Sequence, residues 1–363
     1  MRRILPTTWL ALAACPALAG PPVAAAPAPA FATVAVGRPL SFPADHGSHP
    51  QFRTEWWYLT GWLSAPDGAP LGFQVTFFRT RPGVAEANPS TFAPRQLLIA
   101  HVALSDPSHG RLWQDQRVRR AGLGLAEALE GDTAVWVGDW SLRRVADRYR
   151  ALVTAADFAL DLTLAVTQPP LLNGEGGFSR KGPAATAASF YYSLPHLAVT
   201  GRLARGDRRE PVSGEAWLDH EWSSEYLDAE AVGWDWIGID LEHGAALMAF
   251  RIRDAAGRAR WAGGSLRDPD GRTLIFDPSQ IEFTPRRLWR SPRTGVGYPV
   301  AWTVRTGARR FELEPLMDDQ ENDTRASTGA IYWEGAVRAA ENGRPAGRGY
   351  LELTGYGEPL RLR

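Results

Sequence analysis

The chain has one cysteine, Cys15, in 363 residues. Past that position no disulfide can brace a fold, and no thiolate can hold a metal or act as a nucleophile. Net charge is missing as well: 40 Lys and Arg balance 40 Asp and Glu. That balance removes any general electrostatic case for nucleic acid as a partner. Long apolar runs are absent. The nearest approach, Ile4 to Leu18 behind Arg2 and Arg3, is too short to span a membrane stably and reads as an export signal. No G-x-S-x-G elbow, no G-x-x-x-x-G-K-[ST] loop and no G-x-G-x-x-G within a βαβ unit occurs, which leaves α/β-hydrolase and phosphate-cradle chemistry without support.

Two processing sites compete in the leader. Leu12-Ala13-Ala14-Cys15 resembles a lipobox that would leave a lipidated Cys15, whereas Ala17-Leu18-Ala19 is an A-x-A site that would discard it. Pro16 behind the cysteine favours the second, giving a signal peptide over residues 1–19 and a Pro/Ala linker over 20–30. The expected location is the periplasm or the exterior, lipid-anchored through Cys15 on the first reading.

What the chain has in quantity is 15 tryptophans, 36 glycines and 28 prolines. Turn signals such as Pro66-Asp67-Gly68, Asp268-Pro269-Asp270-Gly271 and Glu341-Asn342-Gly343 cut it into short segments of period-two alternation. Strands are predicted at Gly72–Thr80, Leu97–Leu104, Ala134–Leu142, Ala159–Thr167 and Ala198–Leu203, and the second half repeats the texture from Trp234 to Gly355. Helix is predicted only at Leu123–Leu129 and Asp318–Ala326. Such spacing argues for all-β sandwiches or barrels, and the many strand aromatics favour closed barrels. The strand texture pauses over Gly214–Tyr226, so a domain boundary is expected near 215–230.

Chemistry-bearing residues gather in two places. In Glu55-Trp56-Trp57-Tyr58-Leu59-Thr60-Gly61-Trp62, alternation sends Glu55 and Trp57 to one face and Trp56, Tyr58 and Trp62 to the other. Such a wall serves as barrel girder, pocket lining or both. Asp45, His46 and His49 precede it, and Asp219-His220-Glu221-Trp222 lies beside the tryptophans Trp234 and Trp236. An Asp next to a His can orient the ring as an acid or base, and it can equally satisfy turn backbone. The pairing of both motifs with tryptophans predicts a shared site. His46, His49, His220 and Glu221 could supply metal ligands, yet no spacing is diagnostic, and neither metal nor cofactor is expected. The loop Asn173–Gly182 reads as an inter-strand connection or as a lid carrying Arg180 and Lys181.

FPADHGSHPQFRTEWWYLTGWL at 42–63, GEAWLDHEWSS at 214–224, YWEGAV at 332–337 and GYLELTGY at 349–356 together resemble the lipocalin-like family of carotenoid 1,2-hydratases and AttH-like secreted proteins. The resemblance implies two consecutive lipocalin-like (calycin) antiparallel β-barrels, over 31–225 and 226–363. It implies hydration of isolated alkenes in some members. His220 and Trp222 match the family's active His and Trp, with Asp219 and Glu221 beside them, while Asp45, His46, His49, Glu55, Trp57, Tyr58, Trp234 and Trp236 are expected to contact ligand. The family's later Tyr and Asp have no counterpart in the strand taken to match, Leu247–Arg253, so the acid that would protonate an alkene is missing from this reading. Two functions follow: an exported monomer that binds a hydrophobic, lipid- or isoprenoid-like molecule, linked in the envelope to an ABC-type transporter, or a cofactor-free hydratase.

Overall fold

The computed structural model describes residues 31–84 and 86–360. The expected signal peptide, linker and Cys15 lie outside them. Among the described residues there is no α-helix, and regular structure is strand apart from three single-turn 3-10 segments. The strands form two antiparallel sheets, of 13 and 10 strands.

Both sheets are wound the same way. In the first, Thr54–Ser64 lies between the next strand, Pro70–Thr80, and the unit's last strand, Arg208–Glu225, which in turn pairs with Ala188–Arg205. In the second, Ala231–Leu241 lies between Ala246–Asp254 and the last strand, Arg344–Leu353, which pairs with Ala330–Glu341. Each sheet curls until its ends meet: Leu97–Ser105 approaches Ala126–Ala128 and Ala134–Val137, and Ala246–Asp254 approaches Ile281–Arg290. The molecule is two lipocalin-like barrels in tandem. Even the polar start of each first strand repeats, since Glu55 faces Arg79 across the first pair of strands and Asp235 faces Arg251 across the second.

Three apolar clusters follow from the alternation. One fills the first barrel, around Trp57, Phe73, Phe77 and Trp222. A second fills the other barrel, around Ile237, Trp302 and Trp333. The third joins the barrels and holds Tyr58, Trp62, Tyr191, Trp217, Trp236, Met248, Phe250 and Tyr350. The strands at the junction are therefore buried on both faces, which is why 214–226 shows no polar and apolar alternation. It is not a pause but the closing strand of the first barrel. Close approach at the junction demands glycine at 72, where a Cβ would lie 2.7 Å from that of Ala336 and 2.8 Å from the Tyr350 hydroxyl. The Trp62 indole N–H donates to the Gly349 carbonyl at 3.0 Å and ties the barrels at the same level.

Three local expectations fail. Leu123–Leu129 is a turn leading into the short strand Ala126–Ala128, with Leu123 at φ 57° between two positive-φ glycines, because its leucines have no core to face and stay exposed. Asp318–Ala326 contains the strand Glu321–Thr324, held by pairing with Ala330–Glu341. The long strand expected over 134–142 is a hairpin, because Gly138 at φ 64° turns the chain between Ala134–Val137 and Trp140–Val145.

Candidate functional site

The strands Thr54–Ser64 and Arg208–Glu225 run side by side with Glu55 opposite Trp222, Trp57 opposite His220 and Tyr58 opposite Asp219. Alternation divides the expected site between two faces of one sheet.

The inner face belongs to the first barrel and is packed solid. Glu55 is fully buried at its centre. Oε2 accepts from Arg79 Nε at 2.8 Å, the His49 backbone N–H at 2.9 Å and Ser48 Oγ at 3.1 Å, while Oε1 lies 2.7 Å from His49 Nδ1 and 2.9 Å from His220 Nε2. Burial opposes ionisation of Glu55, but the Arg79 guanidinium with the two imidazoles holds its carboxyl well below the usual range. Burial likewise opposes charge on His49, yet its hydrogen bonds to Asp45 (2.9 Å) and Glu55 raise its pKa. His220 and His46 are pushed the other way by burial, His46 down to about 3. The Tyr192 hydroxyl lies between them, 2.7 Å from His46 Nδ1 and 3.2 Å from His220 Nδ1. Trp222 stacks on His49 at 3.8 Å between ring centres, and Trp57 on His220 at 4.7 Å.

Asp45, His46, His49, Glu55, Trp57, His220 and Trp222 are thus brought together, as expected, but around a closed ionic core. The adjacent aspartates do not orient the histidines. Asp45 holds Arg38, the Ser41 N–H and His49, and Asp219 points to the opposite side of the sheet from His220. Among the described residues, two groups could hold a metal ion: His49 with Glu55 and His220, and His196 with Glu215 and Asp240. Arg79 and His49 already balance Glu55 in the first. In the second both imidazole nitrogens are engaged, by Glu215 at 2.6 Å and the Ala245 carbonyl at 2.8 Å, which suits an inter-barrel tie better than a metal centre.

The outer face opens on a cleft between the barrels. It is partly open to solvent and runs between Trp56, Tyr58, Phe78, Tyr191 and Tyr226 of the first barrel side and Trp234, Trp236, Phe250 and Tyr332 of the second. Trp56 stacks on Tyr226 at 4.5 Å and lies parallel to Trp234 at 6.5 Å. Four carboxyl groups line this aromatic slot: Asp219, Glu221, Glu334 and Glu352. Glu221 is paired with Lys181 at 2.8 Å. The loop expected as a connection or lid therefore does reach the cleft, with Lys181 set against Phe250 and Tyr191. Asp219 accepts from the Tyr191 hydroxyl (2.7 Å), the Trp217 indole N–H (2.6 Å) and Ser193, yet burial still pushes it up to about 7.

Glu334 and Glu352 face each other on neighbouring strands of the second barrel. The Trp234 indole N–H donates to Glu352 Oε2 at 2.7 Å, and burial pushes this carboxyl up to about 7. Neither oxygen of Glu334 has a hydrogen-bond partner. Burial and the charge of Glu352 raise Glu334 well above the usual range, by more than phenols as near as Tyr58 and Tyr332 could offset. A carboxylic acid whose neutral form is favoured in an aromatic slot can serve as a proton donor.

A family model described as AttH-like matches residues 33–356. The chain belongs to the AttH-like family. A protein assigned as AttH from Nitrosomonas europaea is 56% identical, with 90% of this chain and 100% of that one covered and a TM-score of 0.86. Kievitone hydratase from Nectria haematococca is 15% identical, with 90% and 96% covered and a TM-score of 0.69, a likeness of fold. No curated protein matches the sequence.

Within this AttH-like chain, Tyr58, Trp234, Trp236, Asp219 and Glu221 line the cleft, whereas the other seven expected residues lie in the first barrel's interior. Two other buried acids on Ala231–Leu241 are engaged: Asp235 is held by Arg251, Arg253 and the Tyr356 hydroxyl, and Asp240 by the His196 N–H. Two cleft carboxyls that the sequence reading did not single out, Glu334 and Glu352, lie in the other barrel. YWEGAV and YLELTGY carried the signal: alternation sets Tyr332 and Glu334, with Tyr350 and Glu352, on the outer face of strands whose inner face holds Trp333, Leu351 and Leu353.

Proposed function

We propose that the chain binds an elongated apolar molecule carrying an isolated double bond in the inter-barrel cleft, and adds water across that bond by acid catalysis. The observation that carries this reading is Glu334, a buried carboxyl with neither oxygen hydrogen-bonded, its neutral form favoured by burial, beside a second carboxyl in a tryptophan-lined slot. Glu334 gives its proton to one alkene carbon, and the cation left on the other is stabilised by the indole faces of Trp56, Trp234 and Trp236. Water adds to the cation and releases its proton to Glu352, and one proton passing between the two carboxyls resets the pair. The balance is alkene plus water to alcohol, with no cofactor consumed. The leader at residues 1–19 supports doing this chemistry in the cell envelope, on an isoprenoid-like lipid.

The test presents the purified protein with a panel of prenyl and polyprenyl alkenes in ¹⁸O-labelled water. One ¹⁸O in an alcohol product is expected, and Glu334→Gln should lower turnover by roughly 10²–10⁴ while ligands still quench cleft tryptophan fluorescence. Quenching with no label incorporated by the wild type would leave a carrier of hydrophobic molecules and end the hydratase reading.

A further inference from the structure

Behind Tyr332, on the far side from the cleft, lies a histidine that the proposed chemistry does not touch. His101 sits on Leu97–Ser105 of the first barrel, is fully buried and meets the Phe78 ring edge-on at 5.2 Å between centres. Its Nδ1 is 2.9 Å from the Tyr332 hydroxyl and its Nε2 is 2.9 Å from Ser327 Oγ.

The proton positions in this chain of contacts are fixed from its outer end. Gln116 Nε2 donates to the Asp323 carbonyl at 2.8 Å, which can only accept, so Gln116 Oε1 is turned to Ser327 and accepts from its hydroxyl at 2.6 Å. Ser327, having donated, accepts from His101 Nε2–H. The imidazole is neutral, since burial pushes its pKa down to about 3. Nδ1 is therefore bare and accepts the hydroxyl proton of Tyr332. Asn322 Nδ2 donates to the same phenolic oxygen at 3.2 Å. Tyr332 consequently has no proton to offer Glu334.

We infer that His101 is a positioning residue: by holding the hydroxyl proton of Tyr332 it denies Glu334 a donor, so that this carboxyl keeps its own proton for the cleft. An ionised Glu334 would need donors, and the groups around it are poor ones. Glu352 opposite repels it, the Tyr350 hydroxyl lies toward Gly72 and Ser105 of the first barrel, and Lys181 is engaged with Glu221. Tyr58 is the one remaining phenol within reach. Were the imidazole removed or its tautomer reversed, the Tyr332 hydroxyl would turn to Glu334 and favour the charged form.

This inference rests on the proposed function for the use made of Glu334, but its test needs no substrate. The Glu334 carboxyl is titrated by NMR in ¹³C-glutamate-labelled full chain, its resonance assigned by its loss in Glu334→Gln. His101→Leu is expected to lower the midpoint by about one pH unit or more, a tenfold change in ionisation equilibrium. His101→Gln, which can accept from Tyr332 and donate to Ser327, should keep the wild-type midpoint. In a Tyr332→Phe background His101→Leu should change nothing further, because the hydroxyl that mediates the effect is gone. Ser327→Ala, at a half-buried position, lets the imidazole carry its proton on Nδ1 and should also lower the midpoint, which decides the matter if His101→Leu does not fold. An unchanged midpoint in folded His101→Leu or in Ser327→Ala, or equal shifts with and without the Tyr332 hydroxyl, would overturn the inference. The expected shifts without any alkene hydration would leave it standing and remove the function instead.

Discussion

Glu352→Gln isolates the energetic consequence of burying an ionisable carboxyl in the cleft. In the folded chain this group is pushed up to about 7 by burial, against 4.5 when solvated. The folded state therefore holds a proton that the unfolded state has already released between those values. With more protons bound to the native state, the slope of unfolding free energy against pH is negative. Stability is fully present below about pH 4.5 and declines as pH rises through 7. The interval of about 2.5 units, at about 1.36 kcal/mol each, amounts to about 3.4 kcal/mol. Glutamine cannot ionise, and its carbonyl oxygen can still accept from the Trp234 indole. Urea unfolding followed by tryptophan fluorescence at a series of pH values is the assay. Asp219 and Asp240, each pushed up to about 7, and His196, raised to about 8, slope both curves downward in the same sense. The readout is accordingly the difference between the curves: Glu352→Gln should gain about 2.5 kcal/mol on wild type between pH 5 and pH 8. Parallel curves would mean that burial does not shift the Glu352 carboxyl, and the reading of Glu334 and Glu352 as a pair that shares a proton would fail with them.

Arg79→Met removes the guanidinium that balances Glu55 inside the first barrel and leaves a buried carboxylate short of its cation; a loss of about 3–5 kcal/mol is expected by chemical denaturation, with cleft ligand quenching retained wherever the protein is folded. Gly72→Ala places a methyl where Ala336 and the Tyr350 hydroxyl already stand, and should destabilise the chain by about 1–3 kcal/mol and weaken ligand quenching, because the barrels must part along the cleft. Wild-type stability and affinity in Gly72→Ala would contradict the close junction.

The fold was legible because period-two alternation is local: strands, turns and the two faces of Thr54–Ser64 follow from side-chain direction alone. The hairpin at Gly138 was missed because the alternation of Ala134–Leu142 is continuous in sequence while one glycine at positive φ reverses the chain. For the site, alternation said that Asp219 and His220 must point apart, yet adjacency in sequence invited reading them as a pair. What no single segment displays is which face meets the other barrel. His220 and Trp222 draw attention as residue types, and they turn inward to Glu55 and His49. Glu334 is unremarked in YWEGAV because its character arises from burial against Glu352 and from what Tyr332 withholds, both properties of the assembled junction.

The two carboxylate centres differ in a way that assigns them different work. Glu55 is saturated by Arg79, His49, Ser48 and His220, all within one barrel, and the arrangement favours a fixed charge that never titrates in the neutral range. Asp235 with Arg251 and Arg253 repeats that solution in the other barrel. Glu334 has no such partners, and its neighbours come from both barrels. Tandem barrels of one design thus bury their matched acid–arginine pairs inside, where each stabilises its own fold, and leave their unmatched acids on the faces that meet. The unpartnered carboxyl of Glu334 is enclosed by side chains of both folds, so its raised pKa belongs to the pair of barrels and to neither alone.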